Sequence, residues 1–160
     1  MHPSGLIGPT LTKQIEFTSM KFMTELCEGK MTMLPKFSMG LSDVRDVAEA
    51  HYKALYGKPY QRYVVVSDSL FLLEISKIIK EEFGQRGINP TLKEMPYIYA
   101  KLQSFVNPFM NTNMPRWGKK IKFDSSLAME ELGYKPTDVR KSIIDMVESG
   151  IHQGYIKAKK

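Results

Sequence analysis

The stretch Leu41-Ser42-Asp43-Val44-Arg45-Asp46-Val47-Ala48-Glu49-Ala50-His51 passes from an apolar run, through an acidic turn, into an amphipathic helix. Pro35 to Leu41 has room for a short strand before it. Asp43 has the side chain and position of a helix N-cap. Asp46 lies three residues on, the spacing of a capping box with Asp in place of the usual Glu. Val44, Val47, Ala48, His51 and Leu55 share one face at helical spacing, so His51 reads as a satisfied core histidine rather than a catalytic one. Gly57 and Pro59 end the helix. Tyr63-Val64-Val65-Val66 then forms a continuous β-branched run, the pattern of a buried strand. Short strands alternating with helices put the chain in the α/β class.

The same alternation continues outward. Upstream, Lys13 to Glu28 predicts a helix that stops at Gly29. Downstream, Ser69 can cap a helix whose face is Leu72, Ile75, Ile78, Ile79 and Phe83, with Gly84 as its stop. Pro90, Pro96, Pro108 and Pro115 break up residues 85–120, leaving a helix from about Pro96 to Phe105 with proline in its first turn. Ile121-Lys122-Phe123 predicts a small strand. Asp124 or Ser125 caps a short helix ending at Leu132, and Gly133 stops it. Pro136-Thr137-Asp138 opens the last helix, whose face is Val139, Ile143, Met146, Val147 and Ile151. There are no internal repeats and no low-complexity tracts.

Composition narrows the function classes. The chain has 160 residues, enough for one domain with a core of its own. No run approaches the ~20 apolar residues of a membrane span, and the N-terminus lacks the basic and apolar regions of a secretory signal. The single cysteine, Cys27, excludes an internal disulfide framework. It reads as a small core residue, suited to the cytoplasm or another reducing intracellular compartment. The net charge is +6; basic residues occur along the chain, densest at Arg116, Lys119, Lys120 and Lys122 and at Lys157, Lys159 and Lys160, but no recognition motif accompanies them, so nucleic acid is not the expected partner. His2, His51 and His152 are too dispersed for a metal site. Tyr97, Tyr99, Phe105, Phe109, Met110, Met114 and Trp117 crowd residues 95–117. They suit an apolar substrate pocket or a partner surface, with ordinary core packing expected for at least half of them.

Three segments carry a resemblance. The first is His2-Pro3-Ser4-Gly5-Leu6-Ile7-Gly8-Pro9, the second Asp43 to His51, and the third Phe123-Asp124-Ser125-Ser126-Leu127-Ala128-Met129-Glu130-Glu131-Leu132-Gly133-Tyr134-Lys135-Pro136. In this order and spacing they resemble the second half of an extended short-chain dehydrogenase/reductase, the dihydroflavonol-reductase-like or epimerase-like branch. Leu127 departs from the pattern, since the family often has lysine there. The resemblance implies that the backbone around Pro3, Ser4 and Leu6 lies against a nicotinamide ring. Proline fixes φ there, and small residues let the main chain approach a flat ring. A tight turn without a ligand is the alternative reading of the same residues. Asp43 and Asp46 are implied to tie down a helix start.

Two hallmarks of that family are missing from the sequence. No glycine-rich turn is present to seat a pyrophosphate on a helix N-terminus. Nor is there a Tyr-x-x-x-Lys pair upstream of the Pro-Ser segment. Tyr97…Lys101 and Tyr155…Lys159 have the spacing, but both lie far downstream, and no residue here is assigned as catalytic. The expected fold is thus the C-terminal portion of an extended Rossmann-type reductase with most of its parallel sheet absent. Residues 1–160 are read as one substrate-binding-type domain, with 1–10 the end of a cofactor-domain strand. A complete member would use NAD or NADP to reduce a carbonyl or oxidise a secondary alcohol, with a small apolar substrate. Neither cofactor is expected to bind this chain tightly by itself. A missing N-terminal half or another protein partner is expected to cover the exposed sheet. A non-catalytic structural or interaction subunit derived from such a reductase is the competing class.

Overall fold

The computed structural model describes residues 1–11 and 18–159. The first part of the helix expected over 13–28 lies outside the described residues. The rest is α1, Thr18–Cys27, and Gly29 follows at φ 67°, a left-handed turn that suits glycine. Met20, Met23 and Leu26 are buried on its inner side.

The strands are short. β1 (His2–Pro3) runs parallel to β4 (Val64–Val65), with Pro3 opposite Val65. β2 (Gly5–Ile7) runs parallel to β3 (Ser38–Asp43), with Gly5 opposite Leu41. β5 (Asp68–Phe71) closes the far side of β3 in antiparallel register, Ser38 opposite Phe71. The chain is therefore α/β. Among the described residues, β2 stands at the end of its sheet with one edge unpaired.

The remaining helices are α2 (Val44–Ala54), α3 (Leu72–Phe83), α4 (Tyr97–Ser104), α5 (Pro108–Asn113), α6 (Ser126–Leu132) and α7 (Val139–His152). α1, α3 and α7 pack on β2 and β3 around Leu26, Ile75, Ile79, Phe83, Ile143 and Val147. A second cluster joins α2, α6 and β4 through Val47, Ala50, Val65, Ala128 and Leu132. A third is small: Phe37, Ala100 and Met110, flanked by Met95, Met114 and Trp117.

The faces expected for α3 and α7 are the buried ones, with Leu72, Ile78 and Ile151 partly covered. The α6 boundaries also agree, and Gly133 ends that helix at φ 59°. Four local expectations are corrected. On α2 the inward residues are Val47, Ala50 and Ala54, whereas Val44 and Leu55 face outward. His51 is exposed, not core, with Nδ1 2.8 Å from the Val47 carbonyl. Ser69 sits within β5, because ladder pairing keeps the chain extended to Phe71; Glu74 instead accepts from the Phe71 N–H at 2.7 Å. α3 ends at Gly84 as expected, and the chain runs on from it as a 3-10 turn to a left-handed Gly87. Residues 121–123 form no strand; the Ile121 N–H donates to Ser38 Oγ instead.

Candidate functional site

Asp43 sits where β3 becomes α2, and its side chain is fully buried. Its Oδ1 accepts from the Arg45 N–H at 2.9 Å and from Arg45 Nε at 2.8 Å. Its Oδ2 accepts from Arg45 Nη2 at 2.7 Å and from Ser142 Oγ at 2.6 Å. Burial works against ionisation of this carboxyl. The Arg45 and Ser142 hydrogen bonds outweigh it and hold Asp43 below the usual aspartate range. Arg45 also bridges to Asp145 at 2.7 Å, so one guanidinium ties the strand end to α7.

Asp46 does not complete a capping box. It reaches across the fold and accepts from the Thr137 N–H at 2.6 Å and from Thr137 Oγ1 at 2.8 Å. The acidic turn is thus architectural, as its pattern implied, but its second carboxylate braces the approach to α7 rather than the start of α2.

This bracing fixes the strands beside it. The Ser4 N–H donates to Ser42 Oγ, which donates in turn to the Val65 carbonyl at 2.7 Å. Gly5 leaves little room for a side chain, since a Cβ there would lie 3.1 Å from the Gly40 carbonyl oxygen and would displace the tip of Met39. Gly8 holds φ 119°, a value that favours glycine, and a Cβ would meet Val44 at 3.0 Å. Ser4 and Leu6 line the wall of a cavity of about 520 Å³, whereas Pro3 is paired with Val65 and lies outside that lining.

The other walls of the cavity come from distant parts of the chain, chiefly Phe37, Gly40, Phe109, Arg116 and Phe123. Phe123 lies over Gly40 so closely that a Cβ there would be 2.5 Å from its ring. Phe37 meets Trp117 edge-on at 5.3 Å and Phe109 at 6.3 Å. The lining is mainly aromatic and aliphatic, with Ser4, Ser19, Ser38, Asn113 and Arg116 as its polar points, the composition of a small-molecule site. Phe37, Gly40 and Phe123 were not predicted from sequence as site residues. The glycine inside a strand was the available signal, since it marks a close approach.

The aromatic and methionine run divides unevenly. Met110 is buried and Met114 and Trp117 pack beside it. Tyr97, Tyr99, Phe105 and Phe109 are exposed, so fewer than half of the seven serve the core, against expectation. Of the late Tyr-x-x-x-Lys patterns, Tyr97 leans edge-on against Trp117 at 5.8 Å on an exposed face, and Tyr155 and Lys159 lie beyond the end of α7. Among the described residues no group of His, Cys, Asp and Glu is placed to hold a metal. No helix among them is long and apolar enough to cross a membrane. Cys27 is buried, and burial followed by the charge of Glu28 pushes its thiol up to about 12.

The architecture is that of about half of an extended short-chain dehydrogenase/reductase fold. No family model matches the chain, and no curated protein matches it in sequence. Solved structures match it in fold. A nucleoside-diphosphate-sugar epimerase from Pseudomonas aeruginosa superposes with a TM-score of 0.75 at 19% identity, covering 97% of this chain and 48% of that one. The yeast methylglyoxal/isovaleraldehyde reductase Gre2, complexed with NADPH, gives 0.66 at 18% identity, covering 94% and 45%. Vestitone reductase from alfalfa gives 0.66 at 14%, covering 96% and 44%. The chain thus spans about half the length of the structures it matches.

Proposed function

We propose that this chain is the C-terminal, substrate-binding half of an NAD(P)-dependent oxidoreductase acting on a carbonyl or secondary alcohol, and that it works together with a dinucleotide-binding half. The observation that carries this reading is the apolar cavity in which Ser4 and Leu6 meet Phe109 and Phe123. Ser4 and Leu6 suit a nicotinamide ring: both are partly open, and the cavity wall they form is mostly apolar. Pro3 suits it less, being held in the β1–β4 pair. When bound, the dinucleotide would supply or accept the hydride. The chain's own part is to shape the apolar side of the site and keep water from it.

The second half would dock on the free edge of β2. Parallel strands are normally covered on both faces and extended by further strands. A second, more open groove of about 680 Å³ runs beside β2, lined in part by Leu6, Leu11, Val44 and Ala48, and gives that half an apolar seat. The Asp43 network would hold this edge rigid before docking.

The test is calorimetric titration with NADH and NADPH of the monodisperse chain, alone and mixed with a dinucleotide-binding half taken from one of the structural relatives. No binding alone, together with micromolar binding and aldehyde or ketone reduction in the mixture, is the expected outcome. Micromolar binding by the chain alone would overturn the need for a second half. A mixture that forms a complex but neither binds cofactor nor reduces a carbonyl would favour the non-catalytic subunit.

A further inference from the structure

From Met95 to Phe123 the chain contains no aspartate or glutamate, yet it carries Lys101, Arg116, Lys119, Lys120 and Lys122. The net charge of the whole protein is +6, so its basic surplus is concentrated here. Lys120 is 3.5 Å from Asp68. Among the described residues, Lys101, Arg116, Lys119 and Lys122 form no ion pair.

The same segment carries a run of exposed apolar side chains. α4 and α5 pack against each other as a helical hairpin. Of α4 only Ala100 is buried. At the tip, Phe105 is 80% exposed, Val106 79%, Phe109 64% and Leu102 62%. Isolated exposed apolar residues are ordinary, but a contiguous group of large ones marks a surface that leaves water. Trp117 contacts both Phe37 and Tyr97, which sets Arg116 and Lys119 beside the base of the hairpin. The polar residues between the apolar ones, Gln103, Asn107 and Asn111, are uncharged.

An apolar tip, amphipathic aromatic rings behind it and cations of one sign around them match the layers of a bilayer surface. The outward side of α2 differs. Its exposed Tyr52 and Leu55 alternate with both signs of charge, including a Lys53–Glu49 pair, as a protein contact requires.

We propose that the α4–α5 hairpin is a membrane-surface docking element. Leu102, Phe105, Val106 and Phe109 enter the headgroup boundary of an anionic leaflet, and Lys101, Arg116, Lys119 and Lys122 neutralise its phosphates and carboxylates. The protein lies on the membrane rather than spanning it. Each cation near such a surface contributes about 1 kcal/mol, so its loss weakens binding about fivefold. The proposal stands whether or not the cavity proves to be a substrate site.

Vesicle flotation tests it, using phosphatidylcholine vesicles with and without phosphatidylserine. The single Trp117 reports independently through its emission. The chain should float with the phosphatidylserine vesicles only, with a blue shift of Trp117, and high salt should release it. Phe105→Ser with Val106→Ser should weaken flotation about tenfold or more while leaving the thermal unfolding curve unchanged. Lys119→Gln should weaken it about fivefold. No flotation with phosphatidylserine vesicles, or equal flotation of the Phe105→Ser/Val106→Ser protein, would overturn the proposal. So would binding of the dinucleotide half that shields Phe105 and Val106, since that would make the hairpin a protein contact.

Discussion

The Asp43 region and the α4–α5 hairpin occupy the same chain under opposite rules. Around Asp43 a buried carboxylate has four hydrogen-bond donors within reach, and Arg45 links it onward to α7. Around α4 and α5 the large apolar side chains face outward, and most of the cations meet no acid among the described residues. The first region spends its polar groups on fixing strand positions. The second leaves its apolar groups unspent. The difference separates what holds the fold from what is available for binding, and the cavity lies where the two meet, with Ser4 on one side and Phe109 on the other.

Truncation experiments sharpen this contrast most strongly. Ile143 is fully buried between α7 and the sheet. Ile143→Ala should cost about 2–5 kcal/mol in urea unfolding, through lost transfer energy and a residual cavity. Phe105→Ala removes a larger side chain from the exposed tip and should change stability by no more than about 0.5 kcal/mol. Comparable losses at the two positions would break the distinction.

Removing the carboxylate comes next. Asp43→Ala should cost about 3 kcal/mol, since it removes the acceptor of the Arg45 N–H and guanidinium, leaves the Ser142 hydroxyl only the Asp138 carbonyl, and frees the strand end. The pH dependence has a definite sign. Because the folded carboxyl titrates below the ordinary aspartate value, its contribution is full above about pH 4 and is lost as pH falls through the lower folded value. Asp43→Asn should therefore show a flatter fall in unfolding midpoint from about pH 7 to about pH 3 than the wild type.

Where the two regions touch, the expected effect is smaller and coupled. Gly40→Val must push Phe123 aside and should cost about 1–3 kcal/mol. Phe123→Ala in the same protein should recover part of that loss, the contact with Ser4 Oγ remaining, and a double-mutant cycle measures the shared part. The mildest probe is Cys27. Its buried thiol, held near 12, should react with a thiol reagent at about pH 8 only as fast as the native state opens, so labelling should slow with stabilisation and quicken in Ile143→Ala.

Much of this organisation was legible in the sequence, and the exceptions share a cause. α3 and α7 were read to the correct face because one side of each carries nearly all its large aliphatics. α2 was read to the wrong face because both of its sides carry apolar residues. Periodicity cannot tell a stripe that meets α6 from one that meets solvent. Asp46 and Ser69 have the side chains of helix caps, but their local preference yielded to contacts far along the chain, with Thr137 and with β3. Of the residues singled out by motif, Ser4 and Leu6 line the cavity and Pro3 does not. The other walls carry no such motif, because Phe37, Gly40 and Phe123 are brought together only by the fold.

Hydrogen–deuterium exchange, measured on the chain alone and in complex with a dinucleotide-binding half, tests most directly the claim that the sheet edge receives that half while the hairpin stays free. New protection should appear over residues 2–11 and at the start of α2, with exchange over residues 97–109 unchanged. Protection over 97–109 with none over 2–11 would contradict the account, because the second half would then dock on the apolar hairpin instead of the parallel edge.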